Sequence, residues 1–204
     1  MDKQEALEKL KNEMEEDKTL PLRTSETRLV FGEGNPDAEL YFIGEGPGYN
    51  ENLQGRPFVG QAGKLLERTL SEIGLKREDV YISNIVRFRP PENRDPEPSE
   101  IAAFQPYVDR EIEIISPKVI VTLGRFSMNK FLPGEMISRV HGKPVGVKFK
   151  GKDVIIVPMY HPAAALRAGR VLEQFREDFK RLPQILEQKA TEKEEDNIEQ
   201  LDLL

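Results

Sequence analysis

The apolar run Leu40-Tyr41-Phe42-Ile43 leads straight into Gly44-Glu45-Gly46-Pro47-Gly48, and this junction constrains the chain more than any other feature. A short continuous apolar run reads as a strand covered on both faces. The turn after it holds one carboxylate among glycines, which permit backbone conformations and close approaches that a Cβ would block. Ten residues beyond Gly48 stands Phe58, inside Arg56-Pro57-Phe58-Val59-Gly60. An acid, exposed backbone and an aromatic face thereby come to the carboxyl end of a strand, where open α/β sheets bind ligands. A dinucleotide-binding turn is the competing reading. It needs a G-x-G-x-x-G spacing that is absent here, and Pro47 removes a donor amide.

The remainder alternates between helical and strand periods. Leu7, Leu10 and Met14 predict an amphipathic opening helix over 5–14, within a helical segment 4–17. Strands are expected over 39–43, 80–86, 118–123 and 154–158, the last two as short runs of Val and Ile. Between them, Leu65, Leu66, Leu70 and Ile73 mark a helix over 63–73. Ile101, Phe104, Val108, Ile112 and Ile115 mark another over 99–115, its start signalled by Pro98 and by Ser99 as a cap. Residues 142–152 read as a hairpin projecting from the body, and a last helix over 172–186 is interrupted near Pro183. The pattern implies an α/β fold: a three-layer α/β/α sandwich around a central four-stranded, largely parallel sheet. Residues 1–186 are expected to form a single domain, with 187–204 an acidic flexible tail.

At 204 residues the chain can build one core, and its 38% apolar and 32% charged content suits a soluble protein. No run approaches the ~20 apolar residues that span a bilayer, so no membrane partner is expected. The acidic, helix-patterned start is unlike a signal peptide. With no cysteine there is no disulfide and no thiolate-held metal, which fits a cytoplasmic location. The net charge of −6 is uneven: residues 1–18 carry seven acids and four bases, and residues 187–204 seven acids and two bases, leaving +2 on the body between. Bases cluster there at Arg87, Arg89 and Arg94, at Lys143, Lys148, Lys150 and Lys152, and at Arg167 and Arg170. Charge alone leaves open whether these are solvated surface or a nucleic-acid footprint.

Four segments should meet at the carboxyl ends of the strands. The first strand delivers Glu45 and Phe58. The second delivers Ser83-Asn84 and then Arg87-Phe88-Arg89-Pro90-Pro91. The third delivers Gly124-Arg125, and the fourth Tyr160-His161-Pro162-Ala163-Ala164-Ala165-Leu166-Arg167. A carboxylate, an amide, an aromatic ring and an imidazole in one crevice suit a planar heterocycle. The amide can both donate and accept, the ring can stack on a base, and Arg167 can hold a backbone phosphate.

These segments, taken in order, resemble the family 4 branch of the uracil-DNA glycosylases over about residues 17–186. The carriers are Gly44-Glu45-Gly46-Pro47-Gly48, the run from Gly55 to Gly63, Asn84 with Arg89-Pro90-Pro91-Glu92-Asn93-Arg94, and His161-Pro162-Ala163-Ala164. The resemblance implies a monofunctional glycosylase that hydrolyses the N-glycosidic bond of uracil, in single- and double-stranded DNA, to start base-excision repair. Glu45 and His161 would be catalytic. Glu45 would orient water and stabilise positive charge on the sugar, and His161 would donate to the uracil O2. Gly44 and Gly46 would give the base room, Phe58 would stack on it, Asn84 would read N3–H and O4, and Glu51 would crowd the C5 methyl of thymine. Arg89, Arg94 and Arg167 would contact DNA. His141 reads as structural or DNA-proximal.

Family 4 proteins usually carry a [4Fe–4S] cluster on four cysteines. The matching positions here are Asp17, Leu20, Phe88 and Phe104, so the cluster has no ligands, and no cofactor or metal is expected. Leu20, Phe88 and Phe104 are expected to fill the vacated volume. The segment from Arg87 to Pro96 lacks the histidine of the superfamily's covalent DNA binders, which favours a turnover enzyme. Two alternatives stand: a glycosylase of shifted specificity, acting on hypoxanthine or another deaminated base, and a non-catalytic DNA-binding module. Retention of Glu45, Asn84 and His161 argues against the module. A monomer in the cytoplasm, associated with the nucleoid, is expected. At the far end, Gln200-Leu201-Asp202-Leu203-Leu204 resembles the peptide by which bacterial repair proteins dock on the sliding clamp, through Gln200, Leu201, Leu203 and Leu204.

Overall fold

Asp2 accepts backbone N–H bonds from Gln4 and Glu5, and so caps the first helix in the computed structural model, which describes residues 2–188. That helix, α1 (Lys3–Glu16), is followed by β1 (Glu33–Gly34), β2 (Leu40–Gly44), α2 (Tyr49–Gln54), α3 (Gln61–Glu72), β3 (Tyr81–Asn84) and α4 (Pro98–Ile115). Then come β4 (Val119–Leu123), α5 (Arg125–Phe131), α6 (Ile137–Val140), β5 (Val145–Phe149), β6 (Lys152–Met159), α7 (Pro162–Ala165) and α8 (Gly169–Lys180). The chain turns at Arg181 and is helical again over 182–188, so the break lies where Pro183 predicts it.

The sheet order is β1-β3-β2-β4-β6-β5. The pairs β3–β2, β2–β4 and β4–β6 are parallel, and β1 and β5 flank them antiparallel. Every residue of β2 and β4 is buried, as their unbroken apolar runs require. Alternate side chains feed two cores. Tyr41, Ile43, Tyr81, Ile120 and Ile156 join Leu7, Leu10 and Met14 of α1 and Phe104, Val108 and Ile112 of α4. Leu40, Phe42, Ile82, Val119, Val121 and Val157 join Leu65, Leu66 and Leu70 of α3 and Phe175 and Phe179 of α8. The three-layer α/β/α sandwich is as expected from the sequence.

The strand count is not. The four expected strands are the parallel centre of a six-stranded sheet. β1 has two residues, too few for any period to register. β5 is the outer arm of the 142–152 hairpin, which lies in the sheet instead of projecting from it, because its second arm is the start of β6. Lys150 and Gly151 form its two-residue turn with φ of 48° and 82°, a geometry that matches strand twist. Nor is Ser99 the cap of α4. The helix begins one residue earlier, and the Glu100 carboxylate reaches back to accept from the Glu97 N–H at 2.7 Å.

Arg87 is another departure. Counted by sequence with a basic cluster, its side chain is fully buried. Its guanidinium donates to both oxygens of buried Glu111, at 2.6 and 3.2 Å, and to the Ser83 hydroxyl. The Tyr41 and Tyr81 hydroxyls also donate to Glu111. Lys150 and Lys152, at the amino end of β6, lie a strand's length from that strand's carboxyl end.

Where the resemblance would put a cluster, Leu20, Phe88 and Phe104 are buried in one hydrophobic core, as expected. The Phe88 and Phe104 ring centroids are 6.2 Å apart, and the Arg23 guanidinium caps Phe88 at 4.9 Å. The fourth position, Asp17, accepts from the Tyr107 hydroxyl at 2.7 Å and from Thr19. Packed carbon and a committed carboxylate cannot hold an iron–sulfur cluster, and no step of the chemistry is assigned to one. Truncating Phe104 to alanine should cost about 3–5 kcal/mol, read by chemical denaturation. A loss under about 0.5 kcal/mol would mean that these rings are not a core anchor.

Candidate active site

The carboxyl ends of β2, β3 and β6 open into a cleft of about 420 Å³, whereas Gly124 and Arg125, expected there from the end of β4, do not line it. Glu45 and Gly46 arrive from β2, Asn84 is the last residue of β3, and His161 follows β6. Phe58 and Glu51 line the same space, as do Arg94 and Arg167. Gly44 lies directly beneath: a Cβ there would run into the Phe58 ring and stand 2.5 Å from the Asn84 Oδ1. Arg89 stands just outside, over the Tyr49 ring. The sequence-predicted residues are therefore brought together in the lining of one cleft, except Gly44 beneath it and Arg89 outside it. A larger groove, about 500 Å³, lies between the end of α4 and the β5–β6 turn, and it gathers no comparable set of imidazole, amide and ring.

Glu45 is held by backbone. The Phe126 N–H at the start of α5 donates to its Oε1 at 3.2 Å, and Gly124, at φ 103°, leaves the room that a Cβ would take from the carboxylate. Burial raises the Glu45 pKa above its ordinary value. The Phe126 N–H and the charge of Arg125 pull it back, while Asp95 pushes it up. Arg125 and Asp95 are themselves an ion pair.

His161 caps α7, its Nδ1 accepting from the Ala163 N–H at 3.1 Å. In the neutral ring that bond assigns the proton to Nε2. Burial, opposed by Glu51 and aided by Arg167, lowers its pKa to about 4. Phe58 stacks on the imidazole with centroids 5.7 Å apart. The Asn84 side chain is buried, and its Oδ1 has no hydrogen-bond partner among the described residues.

Phe58 is strained, with φ of 50°. Such a non-glycine conformation costs on the order of 1–3 kcal/mol and persists only when its surroundings impose it. Arg77 donates to the carbonyls of Phe58, at 2.8 Å, and of Pro57, and is fixed by Glu33, which also receives Arg56. Glu51 Oε1 accepts from the N–H groups of Val59 (2.8 Å) and Gly60 (2.7 Å). Glu51 thus lines the cleft while pinning the turn that carries Phe58. Sequence reading missed Arg77 and Glu33, which stand 44 positions apart and belong to no motif. It also missed the Phe126 amide, since a backbone donor leaves no trace in residue type.

Arg94 lines the cleft with its guanidinium engaged by Glu100 at 2.6 and 2.9 Å. His141 is outside it, paired with buried Asp178 at 2.7 Å and packed on Tyr160. Among the described residues no three His, Asp or Glu side chains group to hold a metal, and no helix is long and apolar enough to cross a membrane.

The sequence model of the Uracil DNA glycosylase superfamily matches residues 31–183. The chain is 48% identical over 188 residues to the Type-4 uracil-DNA glycosylase of Sulfurisphaera tokodaii, covering 89% of this chain and 85% of that one. It is 45% identical over 186 residues to that of Archaeoglobus fulgidus, with 89% and 94% covered. To that of Thermotoga maritima it is 48% identical over 149 residues, with 72% and 76% covered. The chain belongs to the uracil-DNA glycosylase superfamily, in its type-4 branch.

The His161 assignment is open to direct measurement. In NMR of the histidine-labelled protein, one imidazole should titrate near pH 4 and be lost from the His161→Ala spectrum. A His161 midpoint at or above the ordinary value of 6.5 would overturn a buried, neutral ring.

Proposed function

We propose that the protein is a monofunctional DNA glycosylase that hydrolyses the N-glycosidic bond of uracil in DNA, the first step of base-excision repair. The observation that carries this reading is the buried, unpartnered Asn84 Oδ1, in a cleft that also holds Phe58, His161 and Glu45. A base turned out of the DNA stack would enter this cleft and lie on Phe58. Uracil N3–H would donate to Asn84 Oδ1, and the amide N–H would donate to O4. Cytosine presents an acceptor at N3 and donors at its exocyclic nitrogen, so an amide held in this orientation rejects it. Gly44 and Gly46 keep the backbone clear of the base, and Glu51, by bracing the turn at Phe58, narrows the side open to a C5 methyl.

As the C1′–N1 bond breaks, its electron pair passes to the base, and charge gathers on O2. The Nε2–H of neutral His161 donates there, an interaction that strengthens only as the bond breaks. The Glu45 carboxylate would stabilise the positive sugar and direct a water to C1′. The water oxygen bonds to C1′, and its proton balances the departing uracil anion. Arg89 and Arg167 flank the cleft as phosphate contacts, with Arg94 tethered by Glu100 beside them. Among the described residues no lysine lines the cleft, so strand cleavage is not part of this reading. Such an enzyme would act in the cytoplasm, as a monomer on nucleoid DNA.

Oligonucleotides carrying uracil, hypoxanthine or a thymine mismatch, single- and double-stranded, test this. Uracil should be released and the others spared. Glu45→Gln and His161→Ala should each slow release by about 10²-fold or more while leaving the fold intact. Glu45 works ionised and its pKa is raised, so the rate should climb with pH through a midpoint above the ordinary carboxyl value of 4.5. Hypoxanthine release without uracil release would favour shifted specificity, and no release at all a binding module.

A contact with the bacterial sliding clamp would fall on Gln200, Leu201, Leu203 and Leu204, outside the described residues. What supports it is the sequence Gln-Leu-Asp-Leu-Leu after an acidic stretch, a tethered peptide that would raise local concentration near replicating DNA. Deleting residues 199–204 should abolish capture by an immobilised bacterial sliding clamp and spare uracil release from free oligonucleotides. An intact protein that ignores the clamp at micromolar concentration would refute it.

A further inference from the structure

Among the described residues only four large apolar side chains are well exposed: Tyr49 (56%), Leu53 (53%), Met136 (54%) and Leu166 (49%). Two of them, Tyr49 and Leu53, stand four apart on α2 and so share one face of it. That helix starts directly after Pro47 and Gly48, which line the cleft, and sends Glu51 into it. The exposed face is therefore continuous with the mouth of the site.

Tyr49 is also organised. The Arg89 guanidinium lies 5.2 Å from its ring centroid, and Arg89 Nε donates to the Asn93 Oδ1 at 2.8 Å. Asn93 itself lines the cleft. It and Glu92 hold left-handed backbone, φ 55° and 54°, so the loop that presents Arg89 has a fixed shape. An aromatic ring backed by a cation, half in water, at the mouth of the cleft that holds Asn84 and His161, is the combination that binds unpaired nucleobases: stacking on the ring, with the guanidinium reaching the adjoining phosphate.

We propose that Tyr49, backed by Arg89, is a stacking platform for a nucleobase next to the uracil in single-stranded DNA. The proposal rests on the uracil-DNA glycosylase reading and extends it outward from the pocket. In a duplex the neighbouring bases are already stacked and paired, so the platform acts on single strands.

The test compares wild type, Tyr49→Ala and Tyr49→Phe on a single-stranded oligonucleotide with one uracil, and on the same strand with abasic analogues on both sides of it. Tyr49→Ala should raise KM roughly 5- to 100-fold on the ordinary strand, more than it lowers kcat, and Tyr49→Phe should restore it. On the abasic-flanked strand wild type should fall to the level of Tyr49→Ala. A 2-aminopurine beside the uracil should lose fluorescence on binding wild type and keep it with Tyr49→Ala. Equal KM values on the ordinary strand, or a difference undiminished by abasic flanks, would overturn the platform alone. If wild type releases uracil from no strand, the reading beneath it fails and the platform falls with it.

Discussion

The missing side chain at position 44 is the constraint on which the site rests. β2 and β3 run parallel with Gly44 opposite Asn84, and their pairing continues past both strands through the Ile85 N–H to the Gly44 carbonyl and the Val86 N–H to that of Glu45. The ladder therefore fixes two functional residues at once: the amide at the end of one strand and the carboxylate just beyond the other. Over the bare Gly44 backbone the Phe58 ring and the Asn84 amide close to a distance that any Cβ would prevent. The strained turn at Phe58 keeps the ring there, and its braces, Arg77 with Glu33 on one side and Glu51 on the other, hold it from both directions.

The segment leaving β3 has its own anchors. Three residues after Asn84, Arg87 enters the core and pairs with Glu111 of α4; the next residue, Phe88, packs with Phe104, two helical turns earlier on the same helix. A buried charge pair does little for net stability, but with Ser83, Tyr41 and Tyr81 as further partners it accepts one arrangement and rejects others. The aromatic contact supplies burial without directional demands. Between them they set where Arg89 and Asn93 emerge beside the cleft. Metal-free anchoring thus divides one task between an ionic contact that specifies position and an apolar one that provides adhesion.

What was legible in the sequence followed burial. Strands covered on both faces must be apolar throughout, so β2 and β4 announce themselves, as do the heavy apolar stripes of α3 and α4. Edge strands face solvent and carry no such demand, which is why β1 and β5 were not read as members of the sheet. Glu45, Asn84, Phe58 and His161 were found because each adjoins glycine, proline or a strand end, where residue type reports on backbone geometry. Arg87 was misassigned because a charge in a sequence does not say whether its counter-ion is water or Glu111. Arg77 and Glu33 were invisible for the related reason that long-range polar pairs leave no periodicity.

Desolvation of the cleft acts on Glu45 and His161 in opposite directions with respect to their proposed work. It strips the proton from His161, which leaves a neutral ring whose single donor is fixed on Nε2 by the Ala163 amide. The same burial favours a protonated Glu45, the form that cannot receive a proton from water. The counterweights lie on one element, the start of α5: the Phe126 N–H, in the first turn of the helix, and the Arg125 charge beside it. Arg125 is shared, because Asp95 on the loop that borders the cleft also holds it and itself raises Glu45. The ionisation of Glu45 is therefore set jointly by the fold, through a backbone amide it cannot lose, and by the Arg125–Asp95 ion pair at the surface.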